Sequence, residues 1–551
     1  MFHWRKKCFI GGKKMFHWRK KMKSKLNGFK KAIAVVCGVC LSAVSAGCGG
    51  AKGTGTESGN EFTLKFWSSG LGTEFFHNLV EDFEKDTGYK VKIEENGDTN
   101  GMYDTIMLGE GYNAVDLYMY NGAGPAYFDY IEPLDDVLNS YAYGESQAAG
   151  DKKISEKILP QVKEALEYNV NGTTNVYQLP YGGGWVGIVY NADVIDGKLY
   201  QIPRTTNELI DLANRIAEDK KDQGISAICH FKGGGYWVPL REVFQAQYDG
   251  LSEYKKFRSL TSENGTPSKD VLLATDGRAA TIDFLAELNT PDNVMSGSNT
   301  QTYDNIQTKF LEGKAAMMVN GSWLMNEMKA LNDTSKNFKM MKTPIISSIT
   351  DRLETVDGRI NGVLTTEKDS ELSAVVAAID DADDNGKALS EIALQTENYD
   401  VSADDLAAVY EARHVAFSIF NDNTFTIPNY SDKKEIAKEF IKYFYSDVQI
   451  RKYSSTLQMA LPVSTEVDSS SWSAWGKEML SYNALYVPLF KNANYDSKVF
   501  ALGGCDAWGN GDIIADVSNR ENRKSAEAVW NSIKAYHNEQ WNNYLASAGL
   551  K

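Results

Sequence analysis

Cysteine is scarce in this chain, with six in 551 residues. Cys8, Cys37, Cys40 and Cys48 fall in the first 48 residues, which leaves Cys229 and Cys505 for the folded body. Cys37-Gly-Val-Cys40 has the form of a redox or zinc pair, but it sits inside an apolar leader and carries no such meaning. Cys229 and Cys505 can pair in an oxidising compartment or remain two buried thiols. Long apolar runs are also missing. Ala32–Val44 has 13 residues, whereas crossing a bilayer core takes roughly 20, so a permanent transmembrane helix is not expected. Catalytic signatures are wanting too: there is no HExxH, GxSxG or GxxxxGK[ST], and no GxGxxG after a strand. Of six histidines, two lie in a duplicated leader and four are scattered, with His77 beside Phe76 on a helix. In so acidic a chain no single carboxylate pair of the glycosidase kind stands out.

Positive charge is concentrated at the start. Residues 1–47 carry twelve Lys/Arg and no Asp/Glu, so the remainder holds 46 basic against 73 acidic residues, a formal charge near −27. That excess argues against nucleic acid or anionic lipid as a partner of the body. MFHWRKK occurs at Met1–Lys7 and again at Met15–Lys21, and a complete export signal also begins at Met22. A basic stretch, the apolar run, Ser45-Ala46-Gly47-Cys48 and a Gly/Ser/Thr linker follow one another. This is the order of a secretory leader, and its end resembles the bacterial lipoprotein signature with Ser45 in place of the preferred Leu. Cys48 is then the lipid-bearing first residue of an extracytoplasmic protein, held by two acyl chains as stable anchoring requires. An ordinary secretory signal with an incidental cysteine is the alternative.

The body turns regular at once. Phe62, Leu64 and Phe66 alternate as a strand. Phe76, Leu79, Val80 and Phe83 follow at helical spacing between Thr73 and Gly88, and Tyr89, Val91 and Ile93 start another strand. This βαβ unit predicts a parallel sheet covered by helices. Val115–Tyr120, Val186–Tyr190, Ile225–Cys229 and Ala315–Asn320 read as further strands. Thr206–Asp219, Glu435–Tyr445 and a segment from Ser525 to about Leu545 read as helices. About 500 residues imply two or more domains. The acidic, Ala-rich stretch Ile349–Phe417 reads as a peripheral insertion of two or three helices.

Aromatic residues beside glycine or at strand ends are the strongest site signal. Trp67, Tyr120-Asn121, Gly184-Trp185, Gly235-Tyr236-Trp237, Gly321-Ser322-Trp323 and Asp506-Ala507-Trp508 all have this setting. Ligands of open α/β sheets bind outside the carboxyl ends of strands. An indole offers a flat apolar face and one donor, which suits the C–H face of a sugar ring, while Asn, Asp and Ser serve its hydroxyls. Each Trp could equally be a core residue; Trp472, Trp475, Trp530 and Trp541 lack the setting and are assigned to packing. Asp381-Ala-Asp383-Asp-Asn385-Gly386 opens like a calcium loop, but position 12 is Ile392 and not Glu, so an acidic turn is expected and no metal.

In order along the chain, LKFWSSG, AVDLYMYNGAGPAYFDYIEPLDDVL, LPYGGGWVGIVYNADVI, FLEGKAAMMVNGSW and YSDKKEIAKEFIKYFYSDVQI resemble segments of the extracellular solute-binding proteins of carbohydrate ABC importers, the family of maltose-binding protein. The likeness covers most of Glu61–Val463. It implies an α/β fold of two lobes (periplasmic-binding-protein-like, type II), joined by crossing strands with a ligand cleft between them. The segments divide as leader 1–47, linker 48–60, first lobe 61–182 and 343–463 (with the insertion 349–417), and second lobe 183–342 and 464–551. Crossings are expected near Pro180–Trp185, Met341–Pro344 and Leu461–Ser464. By the resemblance Trp67, Tyr120, Asn121, Trp185, Tyr236, Trp237, Trp323, Asp506 and Trp508 line the cleft, with Trp237 and Trp323 the expected stacking platforms. Ala123 stands where the family carries a charged cleft residue. The implied function is capture of a carbohydrate, such as an oligosaccharide, and delivery to a permease by a monomer that does no chemistry and needs no cofactor. A peptide or polyol phosphate receptor and an extracellular carbohydrate-active enzyme are the alternatives; an anionic ligand would want basic residues, and of the loops named only Lys232 supplies one.

Overall fold

The computed structural model describes residues 59–551 except 68–69, 96–105, 107–108, 110–114, 145–148, 171, 275, 332–335, 358, 361–362, 365–367, 393–394, 397–398, 460, 492 and 503–507. Cys48, Cys505 and Asp506 therefore lie outside the described residues. Alternation in the sequence becomes a half-buried strand, Glu61–Phe66, in which Phe62, Leu64 and Phe66 point inward. It pairs in parallel with Lys90–Glu95 and Leu117–Asn121. The connecting helix Glu74–Thr87 buries Phe75, Phe76, Leu79, Val80 and Phe83 on one face. Gly88 ends that helix at φ 79°, donating its N–H to Glu84 O at 3.0 Å, a left-handed cap that favours glycine.

Two sheets organise the body. The first runs Lys90–Glu95, Glu61–Phe66, Leu117–Asn121, Asn423–Thr426, Leu179–Pro180. The second runs Ser226–Cys229, Ala315–Gly321, Trp185–Asn191, Val415–Ser418, Val487–Leu489, with Phe338–Met341 paired to Trp185–Asn191. Trp185–Asn191 and Ala315–Gly321 are buried along their whole length, as expected for strands with helices on both faces. On the first sheet the rings of Phe62, Phe83, Phe425, Phe440 and Phe444 meet edge to face; Phe83 and Phe440 are 5.1 Å apart. Among the described residues no helix is long and apolar enough to cross a membrane.

The chain passes from the first sheet to the second between Pro180 and Trp185, and returns between Ser418 and Asn423. The return expected at Met341–Pro344 is thus corrected: Phe338–Met341 still bonds to Trp185–Asn191, and the chain stays in the second lobe for some 75 further residues. A third passage follows Ser464, whose N–H still donates to Lys157 O in the first lobe (2.8 Å). Beyond it, helix Ala474–Leu485 joins the second lobe through Trp475 Nε1, which donates to Ser322 O at 3.0 Å. That lies past the Leu461–Ser464 stretch named from the sequence.

The stretch 349–417 is not a peripheral insertion throughout. Its helices Lys368–Asp384 and Ala403–Arg413 pack together, but its end, Val415–Ser418, is an interior strand of the second sheet. Arg413 fixes this unit, with two nitrogens on the Asp380 carboxylate at 2.9 Å and a third on Thr343 O at 2.8 Å. Burial pushes the Asp380 carboxyl up, but Arg413 and Lys342 outweigh it and hold it below its usual range. The Asp381–Gly386 string closes the first of these helices as a turn, with Asn385 donating to Asp381 O at 2.7 Å. Among the described residues no group of three His, Cys, Asp or Glu is placed to hold a metal.

Candidate functional site

Both lobes contribute to one cavity of about 910 Å³. From the first lobe come Trp67, just past strand Glu61–Phe66, and Asn121, the last residue of its neighbour. The Trp67 N–H donates to Met119 O at 3.1 Å, which carries the indole out at the strand's carboxyl end. From the second lobe come Tyr236, at the start of helix Trp237–Asp249, and Trp323, at the turn after strand Ala315–Gly321. Their rings meet edge to face at 5.3 Å. Phe231 and Tyr303 extend the wall, with rings at right angles 4.9 Å apart.

A hydrogen-bond chain stiffens this aromatic wall. The Tyr236 and Tyr303 hydroxyls are 3.1 Å apart, Tyr303 donates to Glu327 Oε2 at 2.6 Å, and Gln307 donates to the same oxygen at 2.7 Å. Burial pushes the Tyr236 hydroxyl up to about 12. A second polar cluster lies across the cavity. Arg258 grips Asp496 through two hydrogen bonds of 2.7 Å, the fork geometry of an ionised pair. Glu242 accepts from Tyr254 at 2.7 Å and from Trp508 Nε1 at 2.6 Å.

The return crossing forms the floor, with Ile419, Asn421 and Asp422 all lining the cavity. It is pinned on both sides: Ile419 N–H donates to Gly184 O (3.1 Å) and Gly122 N–H to Asp422 O (2.7 Å). A Cβ at Gly122 would collide with the Asn421 carbonyl oxygen, so this approach of two backbones needs glycine. Burial raises the Asp422 carboxyl, with Lys491 opposing. The segment after strand Val487–Leu489 closes one side with Lys491, Asp496 and Phe500, and Asn494 reaches the first lobe by donating to Glu164 O at 2.6 Å.

Of the residues singled out in the sequence, the structure brings Trp67, Asn121, Tyr236 and Trp323 together at the cavity. Tyr120 lies behind Trp67, its ring 5.9 Å away and almost fully buried. Trp185 is buried, donating to Asn483 Oδ1 at 3.0 Å with its ring against Phe420 and Tyr486. Trp508 is buried under the Arg241 guanidinium, 5.0 Å above its ring. Trp237 is 1% exposed and borders a separate cavity of about 190 Å³, so the stacking platform expected of it is not at the main cleft. The indole turns inward because Trp237 opens a helix whose first turn packs into the second lobe. Ala123 is buried in a small cluster with Phe128, Ile131 and Tyr177. Cys229 is a buried free thiol.

Sequence reasoning missed Phe231, Tyr303, Glu242, Arg258, Asp422 and Asp496. One signal was available: helix Trp237–Asp249 carries Arg241, Glu242, Gln245 and Gln247 among its buried residues, too many polar groups for a purely apolar contact. The others depend on contacts between segments far apart in sequence, and no local pattern reveals those.

Two α/β lobes, two short backbone crossings and a large aromatic cavity between them define a two-lobed ligand-binding protein. The chain belongs to the bacterial extracellular solute-binding proteins, the family that residues 69–450 match. A maltodextrin-binding protein of Bacillus subtilis (strain 168) is 25% identical over 297 residues, 53% of this chain; the match spans 63% of that relative's length. Among solved structures, the GacH receptor of Streptomyces glaucescens, known unliganded and with acarbose, aligns with 88% of this chain and 99% of its own (15% identity, TM-score 0.53). A chitin oligosaccharide binding protein aligns over 87% and 98% (14% identity, TM-score 0.55). At these identities the structural likeness establishes the fold.

Proposed function

We propose that this protein is a receptor for a carbohydrate, with an oligosaccharide as its ligand, and that it hands this ligand to an ABC permease. The observation that carries the reading is the cavity itself. Trp67, Tyr236, Trp323 and Phe231 line it with aromatic rings, and Asn121, Asp422 and Asn423 add polar groups. Such a lining suits a ring that is apolar above and below and hydroxylated at its rim. A volume near 910 Å³ lies in the upper part of the usual ligand-site range of about 300–1,000 Å³. The relatives named for maltodextrin, acarbose and chitin oligosaccharide support the same ligand class.

The protein acts by binding alone, as a monomer without cofactor. It is held at the outer face of the cell membrane through a diacylglycerol on Cys48, a residue that lies outside the described part of the chain. Palmitate labelling of the parent and of Cys48→Ala tests the anchor; label retained in the variant overturns it. The mature chain should be screened by calorimetry and thermal shift against maltotriose, raffinose and chitotriose. One saturable ligand that is recovered unchanged supports the receptor. Binding of peptides alone, or cleavage of the sugar, overturns it.

A further inference from the structure

We infer that Asp422 is the residue that reads the ligand's hydroxyl groups, and that through its place on the return crossing it ties that contact to closure of the lobes. This rests on the receptor reading above and names the group within the site that discriminates.

Four carboxylates line the cavity, and three are already engaged. Glu327 accepts from Tyr303 and Gln307, Glu242 from Tyr254 and Trp508, and Asp496 from Arg258. The Asp422 carboxylate accepts no hydrogen bond from the described residues, and Lys491 is the one cation acting on it. It is half-buried and opens on the cavity, where a donor on the ligand can reach it. Its aim is set by the backbone on each side: Asp422 N–H donates to Ile419 O at 2.9 Å, and Asp422 O accepts from Gly122 at 2.7 Å. The Trp67 indole and the Tyr236 ring line the same cavity, and the Tyr236 hydroxyl feels the Asp422 charge.

A carboxylate has two oxygens and accepts in fork geometry, which fits two adjacent hydroxyls of one sugar ring lying on an aromatic face. The ligand then supplies the hydrogen bonds that the protein withholds. Asp422 also belongs to a four-residue link between the sheets. A ligand held by it and by Trp323 touches the hinge and the second lobe together, and so favours the arrangement in which both contacts exist.

The test compares the mature parent with Asp422→Asn, an isostere that keeps the shape and removes the charge. With whichever of maltotriose, raffinose and chitotriose binds the parent, Asp422→Asn is expected to bind at least tenfold more weakly. Monodeoxy derivatives of that sugar identify the hydroxyls read: removing one of them weakens the parent but costs Asp422→Asn little more. Ligand-free Asp422→Asn is expected to keep the parent's circular dichroism spectrum, so that the change in affinity is read at the site. Equal affinity in parent and variant overturns the inference and leaves the receptor reading standing. A parent that binds no sugar overturns both.

Discussion

Trp323 and Trp237 have the same local sequence setting and are both buried, but they border different cavities. Trp323, 4% exposed, lines the main cavity with its ring against Tyr236, whereas Trp237, 1% exposed, borders only the smaller one. Trp323→Ala is therefore expected to weaken sugar binding by about tenfold or more, close to 1.4 kcal/mol, with the circular dichroism spectrum unchanged. Trp237→Ala removes a buried ring and is expected to cost about 3–5 kcal/mol of stability in denaturant unfolding. Its affinity in surviving protein should change far less. Glu478 gives a pH signature. Burial lifts its carboxyl to about 7, with Lys339 opposing. The folded form binds this proton more tightly than the unfolded chain, so stability falls as pH rises from about 4.5 to 7, by at most about 3 kcal/mol. Glu478→Gln should flatten that part of the melting-temperature profile, and an unchanged slope would remove Glu478 as its source. At this scale the sequence revealed residue type and proximity to a turn. It could not reveal which way an indole faces, because that depends on the helix packed behind it.

At the scale of elements, periodicity located the strands and helices well. Glu74–Thr87 falls between the Thr73 and Gly88 read as its ends, and Lys434–Phe444 lies within one residue of its expected span. Which sheet a strand joins was less legible. Val415–Ser418 looked like the tail of an acidic helical stretch, yet it pairs with Trp185 and Val186 on one side and Val487–Leu489 on the other. Pairing partners that distant leave no mark on local pattern. Deleting 349–417 is consequently expected to abolish cooperative folding of the second lobe, seen as loss of the thermal transition or rapid proteolysis there. The Arg413–Asp380 pair should be just as sensitive. Arg413 is 4% exposed in its side chain, and Arg413→Ala leaves a mostly buried carboxylate unpaired, at a cost of about 3–5 kcal/mol. Since the folded state holds Asp380 ionised, the pair's contribution is present at neutral pH and lost as pH falls through that lowered value.

At the scale of the whole molecule, the two-lobed α/β architecture was legible from the order of its segments, while the point of return was misplaced by some 75 residues. Ligand at a hundred times its dissociation constant should stabilise the protein by about 2.7 kcal/mol. If closure accompanies binding, the radius of gyration by X-ray scattering falls on saturation, and an unchanged value would leave a receptor without that motion. The sheets themselves carry a consequence for how the chain is made. Asn121 pairs with Asn423, and Trp185 with Ser418. A ribosome must therefore release about 300 residues after Asn121 before the first sheet can receive its fourth strand, and the second sheet waits further for Val487–Leu489. Contacts so distant along the chain form slowly. The first sheet therefore stays open until Thr426 has been added and the second until Leu489, so for most of its synthesis the polypeptide has no finished sheet in either half.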